Sequence, residues 1–257
     1  MRNLMYHDVA TPSDRETVGF PGALAGRYKL EPQAFEAHLA ALSAVQRRIG
    51  TLDAGGVSSG EPQVVITFDD GGASAPQSAA ALERFGWRGQ FFVTTARIDT
   101  PGFLSREQIQ ALAAKGHVIG SHSHTHPTYM GLLSRQELDA EWRTSRSVLA
   151  DILGAAPRSA SVPGGFLSRE VVTSAAAAGY ELLFTSEPTS RVQHGAITVR
   201  GRYTIWGSTP ARVAAAYARG DMRACGRLWL EWNAKKLAKR SSPRAYQALR
   251  SVRARNT

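Results

Sequence analysis

The chain has 257 residues, of which 43% are hydrophobic and 20% carry a charge. This length suits one large domain or two small ones, and the composition excludes an intrinsically disordered chain. The sequence contains no run of about 18 apolar residues, so we expect no membrane-spanning helix. A single cysteine, Cys225, excludes an internal disulfide framework and fits a reducing compartment.

The net charge of +10 is concentrated at one end of the chain. Ten of the 31 Lys and Arg residues follow Gly220, where only Asp221 and Glu231 oppose them. Residues 1–220 are therefore nearly neutral. We expect a folded body over residues 1–220 and a basic, helical tail over residues 221–257.

Four apolar residues of this tail are assigned to one stripe of the predicted helix: Cys225, Leu228, Trp229 and Trp232. Such a helix suits an anionic membrane surface, and the same stripe would equally pack on the body and leave the basic side chains in solvent. Nucleic-acid binding is the weaker interpretation, because no recognised nucleic-acid-binding motif accompanies the charge.

Short apolar strands alternate with helices along the body. The pattern predicts strands over residues 2–9, 63–68, 89–95, 117–121, 159–162, 181–186 and 196–205, and helices over residues 32–48, 74–85, 105–115, 134–153 and 168–178. Two of these helices begin with a capping box, at Ser105 and Ser134. The alternation predicts a parallel α/β sheet or barrel, in which chemistry gathers at the carboxyl ends of the strands.

Two adjacent carboxylates, Asp69 and Asp70, follow the buried strand 63–68. Carboxylates in such a place are costly unless they are solvated, paired or bound to a cation. Consecutive side chains of an extended segment point to opposite sides, so one carboxylate can bind a metal ion while the other takes a proton. The alternative is an ordinary Asp-Asp-Gly turn at a strand end.

Three of the seven histidines of the chain lie within five residues, at His122, His124 and His126. Neutral imidazole is the commonest protein ligand of zinc-like ions, and the i, i+4 spacing of His122 and His126 suits one side of a compact turn. A solvated histidine-rich loop is the alternative. Two histidines with one carboxylate make a set of three ligands that leaves positions open for water and substrate. The second carboxylate is then available as a general base.

These residues resemble the polysaccharide deacetylases of carbohydrate esterase family 4, which carry the NodB-homology domain and fold as a distorted (β/α) barrel. The family's first motif, T-F-D-D-G, is complete at residues 67–71. Its second motif, H-[ST]-x-x-H followed by Pro, is complete at residues 122–127. The order of strands and helices from residue 63 to about residue 207 also fits the domain, so the resemblance predicts an α/β fold of this type over residues 1–220.

The resemblance implies a role for each matching residue. Asp69 would be the catalytic base, while Asp70, His122 and His126 would bind a divalent metal ion, usually zinc. Ser123 would help to hold the histidine loop. The implied reaction is attack of metal-bound water on an N-acetyl carbonyl, with release of acetate and a free amine.

The sequence departs from the family at the third motif, which usually reads R-x-P-[YW]-G and here reads S-V-P-G-G at residues 161–165. The backbone N–H of Gly164 matches the group that helps to form the family's oxyanion hole, where one donor supplies roughly 2.7–4 kcal/mol. Ser161 replaces the arginine that steadies the base, so another group must orient Asp69. The missing aromatic side chain at Gly164 predicts a wider pocket.

The histidine that supplies the general acid in the family's fifth motif is missing from this sequence. His7, in the segment Tyr6-His7-Asp8-Val9, resembles the opening of one branch of the family and would lie near Asp69. It would serve as an acid, as a substrate contact or as a structural histidine beside Tyr6. His194 is a second candidate acid, and the alternative there is an exposed loop histidine.

Two arginines, Arg200 and Arg202, fall on one face of the last predicted strand. They would bind a phosphate or a carboxylate there. The alternative is that both are ordinary surface arginines.

The resemblance predicts a metal-dependent N-deacetylase acting on an N-acetylated saccharide that is a polymer, lipid-linked or nucleotide-linked. Residues 1–15 lack a long apolar stretch, so we expect no secretory signal and a cytoplasmic protein, peripheral on the inner face of the membrane through its basic tail. The alternatives are removal of another acyl or formyl group from an amino sugar, a carbohydrate-binding pseudoenzyme, and a nucleic-acid or membrane adaptor.

Overall fold

A computed structural model describes residues 1–52, 63–165, 167–188 and 191–241 of the chain. Strands and helices alternate through these residues as the sequence predicts. The strands are β1 (Arg2–Tyr6), β2 (Ile49–Gly50), β3 (Val64–Phe68), β4 (Gln90–Val93), β5 (Val118–Ser121), β6 (Ser159–Ser161), β7 (Leu182–Phe184), β8 (Val192–His194), β9 (Ile197–Arg200) and β10 (Tyr203–Thr204). The helices are α1 (Ala23–Gly26), α2 (Pro32–Ser43), α3 (Ala75–Glu83), α4 (Arg106–Ala114), α5 (Arg135–Leu153), α6 (Arg169–Ala177), α7 (Ala211–Arg219) and α8 (Met222–Ser241).

The strands of the described residues form one curled sheet in the order β10-β1-β3-β4-β5-β6-β7-β9-β8, with β2 beside β3. Every pairing is parallel except that of β8 with β9. All five residues of β3 are buried, because helices cover a parallel sheet on its faces. The predicted α/β fold is confirmed as a curled, mostly parallel sheet that forms a half-barrel.

The prediction of one continuous strand over residues 196–205 is wrong. The chain leaves β9, which pairs with β7, and enters β10, which pairs with β1 near the opposite end of the sheet. Only Gly201 and Arg202 join the two strands, and we call this two-residue connection the seam. The side chain of Asn3 donates a hydrogen bond of 2.8 Å to the carbonyl of Gly201. The curl of the sheet brings its two ends together, so the chain changes neighbours within two residues.

Both predicted capping boxes are present. The hydroxyl of Ser105 accepts from the backbone N–H of Gln108, and that of Ser134 accepts from the backbone N–H of Glu137. These caps satisfy backbone donors that the first turn of a helix leaves without partners. They fix the starts of α4 and α5, and α5 in turn packs beside the histidine segment.

Helix α8 follows α7 closely, and its predicted apolar stripe is only partly correct. Leu228 is buried in the main core, and Cys225 packs against the same core. Trp229 is 47% exposed and Leu230 is 63% exposed. Trp229 lies about 100° around the helix from Leu228, so the two cannot face the body together. No helix of the described residues is long and apolar enough to cross a membrane.

Candidate active site

The two acidic residues that follow β3 are both buried at the carboxyl ends of the strands. Asp69 is 4% exposed and Asp70 is 8% exposed. Asp70 adopts a left-handed backbone conformation with φ of 78°, which a non-glycine residue adopts at a cost of about 1–2 kcal/mol. Asp70 is thus not extended as expected, and the left-handed turn directs its carboxylate to His122 and His126 while that of Asp69 binds Arg202.

The histidine segment after β5 turns back sharply toward these carboxylates. Ser123 and His126 both have positive φ, of 64° and 62°. The hydroxyl of Ser123 accepts a hydrogen bond of 3.1 Å from the backbone N–H of His126. Ser123 therefore holds the loop as the family resemblance implies. Three of the four non-glycine residues with positive φ among the described residues belong to this site, which concentrates backbone strain there.

Glu141 of α5 fixes the other side of the histidine loop, and sequence reasoning missed it. Its Oε2 accepts from the backbone N–H groups of His124 and Thr125 at 2.8 and 2.9 Å. Its Oε1 accepts from the Thr125 hydroxyl at 2.6 Å. Glu141 lies on the buried stripe of α5 beside Leu138, and an acidic residue on an apolar helix face is the sequence signal that could have identified it.

Asp70, His122 and His126 form a cluster of potential metal ligands. One ligand atom of each lies within 4.8 Å of the others. The Oδ1 atom of Asp70 is 3.4 Å from the Nε2 atom of each histidine. Two ligands that are each about 2.0–2.2 Å from one tetrahedral zinc ion are separated by roughly 3.4 Å, so these residues fit a divalent ion of that size. The Nδ1–H of His122 donates to the carbonyl of Ser161 at 3.0 Å, which directs Nε2 to the cluster.

The carboxylate of Asp69 is bound by a buried arginine, Arg202. Nη1 of Arg202 donates to Oδ1 at 2.6 Å, and Nη2 donates to Oδ2 at 2.7 Å. The hydroxyl of Ser161 donates to Oδ2 at 3.1 Å. The interpretation of Arg202 as a surface arginine is wrong, because the side chain is fully buried and binds a carboxylate. No local sequence signal distinguished it from Arg200.

Opposing forces act on the ionisation of both aspartates. Burial favours the neutral carboxyl of Asp69, but the Arg202 guanidinium outweighs it and lowers the pKa of Asp69 below its usual range. Burial likewise opposes ionisation of Asp70, and hydrogen bonds from His122 and His126 hold its pKa well below that range. For His126, burial disfavours the charged form, but the Asp70 carboxylate prevails and raises the pKa of the imidazole. Both carboxylates are therefore anionic at neutral pH.

The two candidate general acids, His7 and His194, both lie outside the cluster of potential metal ligands. His7, directly after β1, is half-buried, and its ring centre lies 4.3 Å from that of Tyr28 with the two rings tilted by 37°. Its Nδ1 atom is buried and has no hydrogen-bond partner among the residues that the structure describes. Burial lowers the pKa of His7, against the attraction of Asp70 and Asp69. His194 is exposed on β8, outside the cluster.

Gly164 follows β6 with φ of 64° and ψ of −4°, and it is exposed. The neighbouring N–H of Gly165 is bonded to the carbonyl of Val162 at 2.9 Å. The Pro163–Gly165 turn follows Ser161, the residue that contacts both Asp69 and His122. Gly164 thus lies three residues after Ser161 in the chain, and Ser161 contacts the site directly.

A loop before α2 covers one side of the cluster, and sequence reasoning did not find it. The ring of Phe20 lies 4.7 Å from the ring of His126. The buried Nζ of Lys29 donates to the carbonyls of Arg15, Val18 and Phe20 at 2.5–2.7 Å. The ammonium group of Lys29 therefore stabilises the fold of this loop, which places Phe20 against His126 of the candidate metal site.

The fold and the cluster define the class of protein: a half-barrel with an Asp-His-His site at its strand ends. A family model described as polysaccharide deacetylase matches residues 56–183. The chain belongs to this family, carbohydrate esterase family 4, whose members carry the NodB-homology domain.

The relatives of the chain agree with this assignment. YxkH of Bacillus subtilis, named for the same family, is 30% identical over 129 residues, which are 50% of this chain and 46% of YxkH. The peptidoglycan-N-acetylglucosamine deacetylase PgdA of Listeria monocytogenes is 30% identical over 112 residues, which are 42% of this chain and 23% of PgdA. The matched region spans less than half the length of either relative.

The fold is also similar to solved structures. A polysaccharide deacetylase from Bacillus cereus superposes with a TM-score of 0.68 at 20% identity, over 84% of this chain and 68% of that protein. At this level of identity the likeness concerns the fold.

Proposed function

We propose that this protein is a metal-dependent deacetylase that removes the N-acetyl group of an amino sugar in a glycan or a glycan precursor. The observation that carries the proposal is the Asp70, His122 and His126 cluster beside a second, arginine-bound carboxylate, Asp69. Family membership supports the same hydrolysis of a carbon–nitrogen bond. PgdA, whose name gives N-acetylglucosamine in peptidoglycan as its substrate, supports an amino sugar.

Each residue of the site has a role in this proposal. A divalent ion bound by Asp70, His122 and His126, most simply zinc, would polarise the N-acetyl carbonyl and make a bound water more acidic. Asp69 would accept the proton of the attacking water, since it is anionic and lies beside the cluster, with its Oδ2 3.9 Å from Nε2 of His122. The remaining open positions of the ion would be left for water and the acetyl oxygen.

Gly164 and His7 would complete the reaction. The backbone N–H of Gly164 would stabilise the oxyanion, since the left-handed turn after β6 exposes this residue. His7 would donate a proton to the leaving amine, because the negative charges of Asp70 and Asp69 favour its protonated form. His194 is the weaker candidate acid because it is exposed on β8, outside the cluster.

Two alternatives concern the same pocket. A deacylase or deformylase would use the same residues on another N-acyl amino sugar, because the glycine at position 164 gives the pocket no aromatic wall. A carbohydrate-binding pseudoenzyme would bind sugar without turnover. The tight binding of Asp69 by Arg202 favours an enzyme, since a lectin-like site has no use for an oriented base.

The test combines metal analysis with acetate release across polymer-, lipid- and UDP-linked N-acetyl sugars. We expect about one divalent ion per chain, and Asp70→Asn and His122→Ala should lose both the ion and turnover. His194→Ala is the matched control and should retain both. Formate or a longer acid in place of acetate would identify the deacylase. Sugar binding by both wild type and Asp69→Asn, with no acid released by either, would identify the pseudoenzyme.

We also propose that the protein works in the cytoplasm, peripheral on an anionic membrane face. Met222, Trp229 and Leu230 of α8 are exposed, and Arg223 and Arg227 lie on the same helix. The part of the predicted basic tail after Ser241 lies outside the described residues. Replacing Trp229 and Leu230 by serine should weaken binding to anionic vesicles and leave acetate release unchanged. This variant is a sharper test than truncation after Gly220, which would also remove the core residue Leu228.

A further inference from the structure

The guanidinium of Arg202 is the most completely engaged side chain of the active-site region. It donates to both oxygens of Asp69, to the hydroxyls of Ser161 and Thr67 at 2.7 and 3.1 Å, and to the carbonyl of Thr185 at 3.2 Å. The five N–H groups of an arginine match these five acceptors in number. A buried cation with every donor engaged has one fixed position, so the carboxylate that it binds is fixed as well.

The surroundings of Arg202 leave Asp69 as its only anionic partner among the described residues. Its guanidinium carbon lies 5.7 Å from the centre of the Phe92 ring and 5.8 Å from that of Phe184. These rings exclude water and favour a cation over their faces. The pair is therefore a desolvated, bidentate ion pair, which is much more rigid than a pair at the surface.

The contacts of Asp69 also limit where it can receive a proton. A carboxylate has about four acceptor positions. Arg202 occupies two of them and Ser161 a third. About one acceptor position of the carboxylate is left, and neither Arg202 nor Ser161 occupies it. A base with a single remaining acceptor position has a defined direction for proton transfer.

We propose that Arg202 is the positioning residue of the base, acting through Asp69 from the seam of the sheet. This inference rests on the proposed function, and it answers which group orients Asp69 when position 161 carries serine. Among the described residues, none of the hydrogen bonds that Arg202 donates goes to the three potential metal ligands, so its role is separate from metal binding. The hydroxyl of Ser161 serves as a bridge, because it donates to Asp69 and accepts from Arg202.

The first experiment compares Arg202→Met and Arg202→Lys with wild type in metal content, kcat and KM. We expect one ion per chain in each variant, a kcat at least a hundredfold lower for Arg202→Met, and a KM within about threefold of wild type. The matched control is Arg158→Met. Arg158 also forms a bidentate pair, with Glu181, but at the amino ends of β6 and β7, so kcat should not change. A metal-loaded Arg202→Met with wild-type kcat would overturn the inference.

The second experiment asks whether the chemical group alone restores function. Guanidinium at tens of millimolar should raise kcat of Arg202→Ala at least tenfold and should leave Asp69→Ala inactive. In the double variant Arg202→Ala/Ser161→Arg, an arginine placed at the bridging position should restore part of kcat. Failure of both rescues in folded, metal-loaded protein would show that Arg202 has only a structural role.

A third measurement separates this inference from the proposed function and covers variants of low stability. In a double-mutant cycle of unfolding constants, Arg202→Met should have a large effect in wild type and a much smaller one when Asp69 is already Asn. Additive effects would refute the pairing. Coupled unfolding with no acid release from any wild-type substrate would leave the pairing correct and reject the proposed function.

Discussion

Glu141 offers the clearest test of how the candidate metal site is held together. Its carboxylate accepts three hydrogen bonds from the histidine loop, two of them from backbone N–H groups that make no other hydrogen bond with the described part of the chain. In Glu141→Ala these donors lose their acceptor. A buried donor left unsatisfied costs about 1–3 kcal/mol, and water will reach part of this half-buried loop. We expect the free energy of unfolding to fall by about 2–4 kcal/mol.

The same substitution should weaken metal binding, because the loop carries His126 to the cluster. Residues that orient metal ligands typically contribute about 10–100-fold to affinity. Glu141→Gln keeps one carbonyl oxygen for the two N–H groups, and the Thr125 hydroxyl can turn to accept from the new amide. We expect this variant to stay within about tenfold of wild type in metal affinity and to lose about 1 kcal/mol.

Urea unfolding of metal-free protein and competitive titration with Zn²⁺ measure the two effects separately. Glu137→Ala, on the same helix, is the control: it loses a capping box and should leave metal affinity unchanged. If Glu141→Ala loses stability but binds Zn²⁺ with an affinity within twofold of wild type, Glu141 does not position the histidine loop for metal binding, and the reasoning is refuted.

Three further predictions concern stability. Burial raises the pKa of Asp8 to about 7, so the folded state keeps this proton to a higher pH than the unfolded chain does. As the pH rises from about 4 to 7, the free energy of unfolding of wild type should therefore fall by about 2–4 kcal/mol relative to that of Asp8→Asn. Urea unfolding in EDTA measures this difference. A flat difference across this range would contradict the assignment. Lys29→Met deprives three loop carbonyls of their donor and should cost about 3–5 kcal/mol, with faster proteolysis within residues 10–29. Zn²⁺ at a hundred times its Kd should raise the free energy of unfolding of wild type by about 2.7 kcal/mol and leave His122→Ala unchanged; equal gains in both would place the ion elsewhere.

The sequence predicted the cluster because its residues lie in short motifs at strand ends. Asp70 follows β3 directly, and His122 and His126 follow β5, two strands away in the sheet. Parallel strands bring their carboxyl ends to one edge, so the fold class alone placed these motifs together.

The partner of the base could not be predicted in this way. Arg202 lies 133 residues from Asp69 along the chain, and its neighbour Arg200 is the same residue type. Arg202 reaches Asp69 because the curled sheet places the seam beside β3, and the sequence pattern predicted one continuous strand there instead. The role of Lys29 could not be predicted either, because its acceptors are backbone carbonyls, which every residue has.

The position of the seam divides the contacts of this site by their separation along the chain. The potential metal ligands all precede residue 127, while Arg202 takes its place only when β10 docks beside β1. Contacts of such long sequence separation form at a high entropic cost. Glu141 and Ser161, which position the histidines, precede the seam as well, but the restraint on Asp69 depends on it. The geometry of the potential ligand cluster and the orientation of the base therefore depend on different parts of the chain.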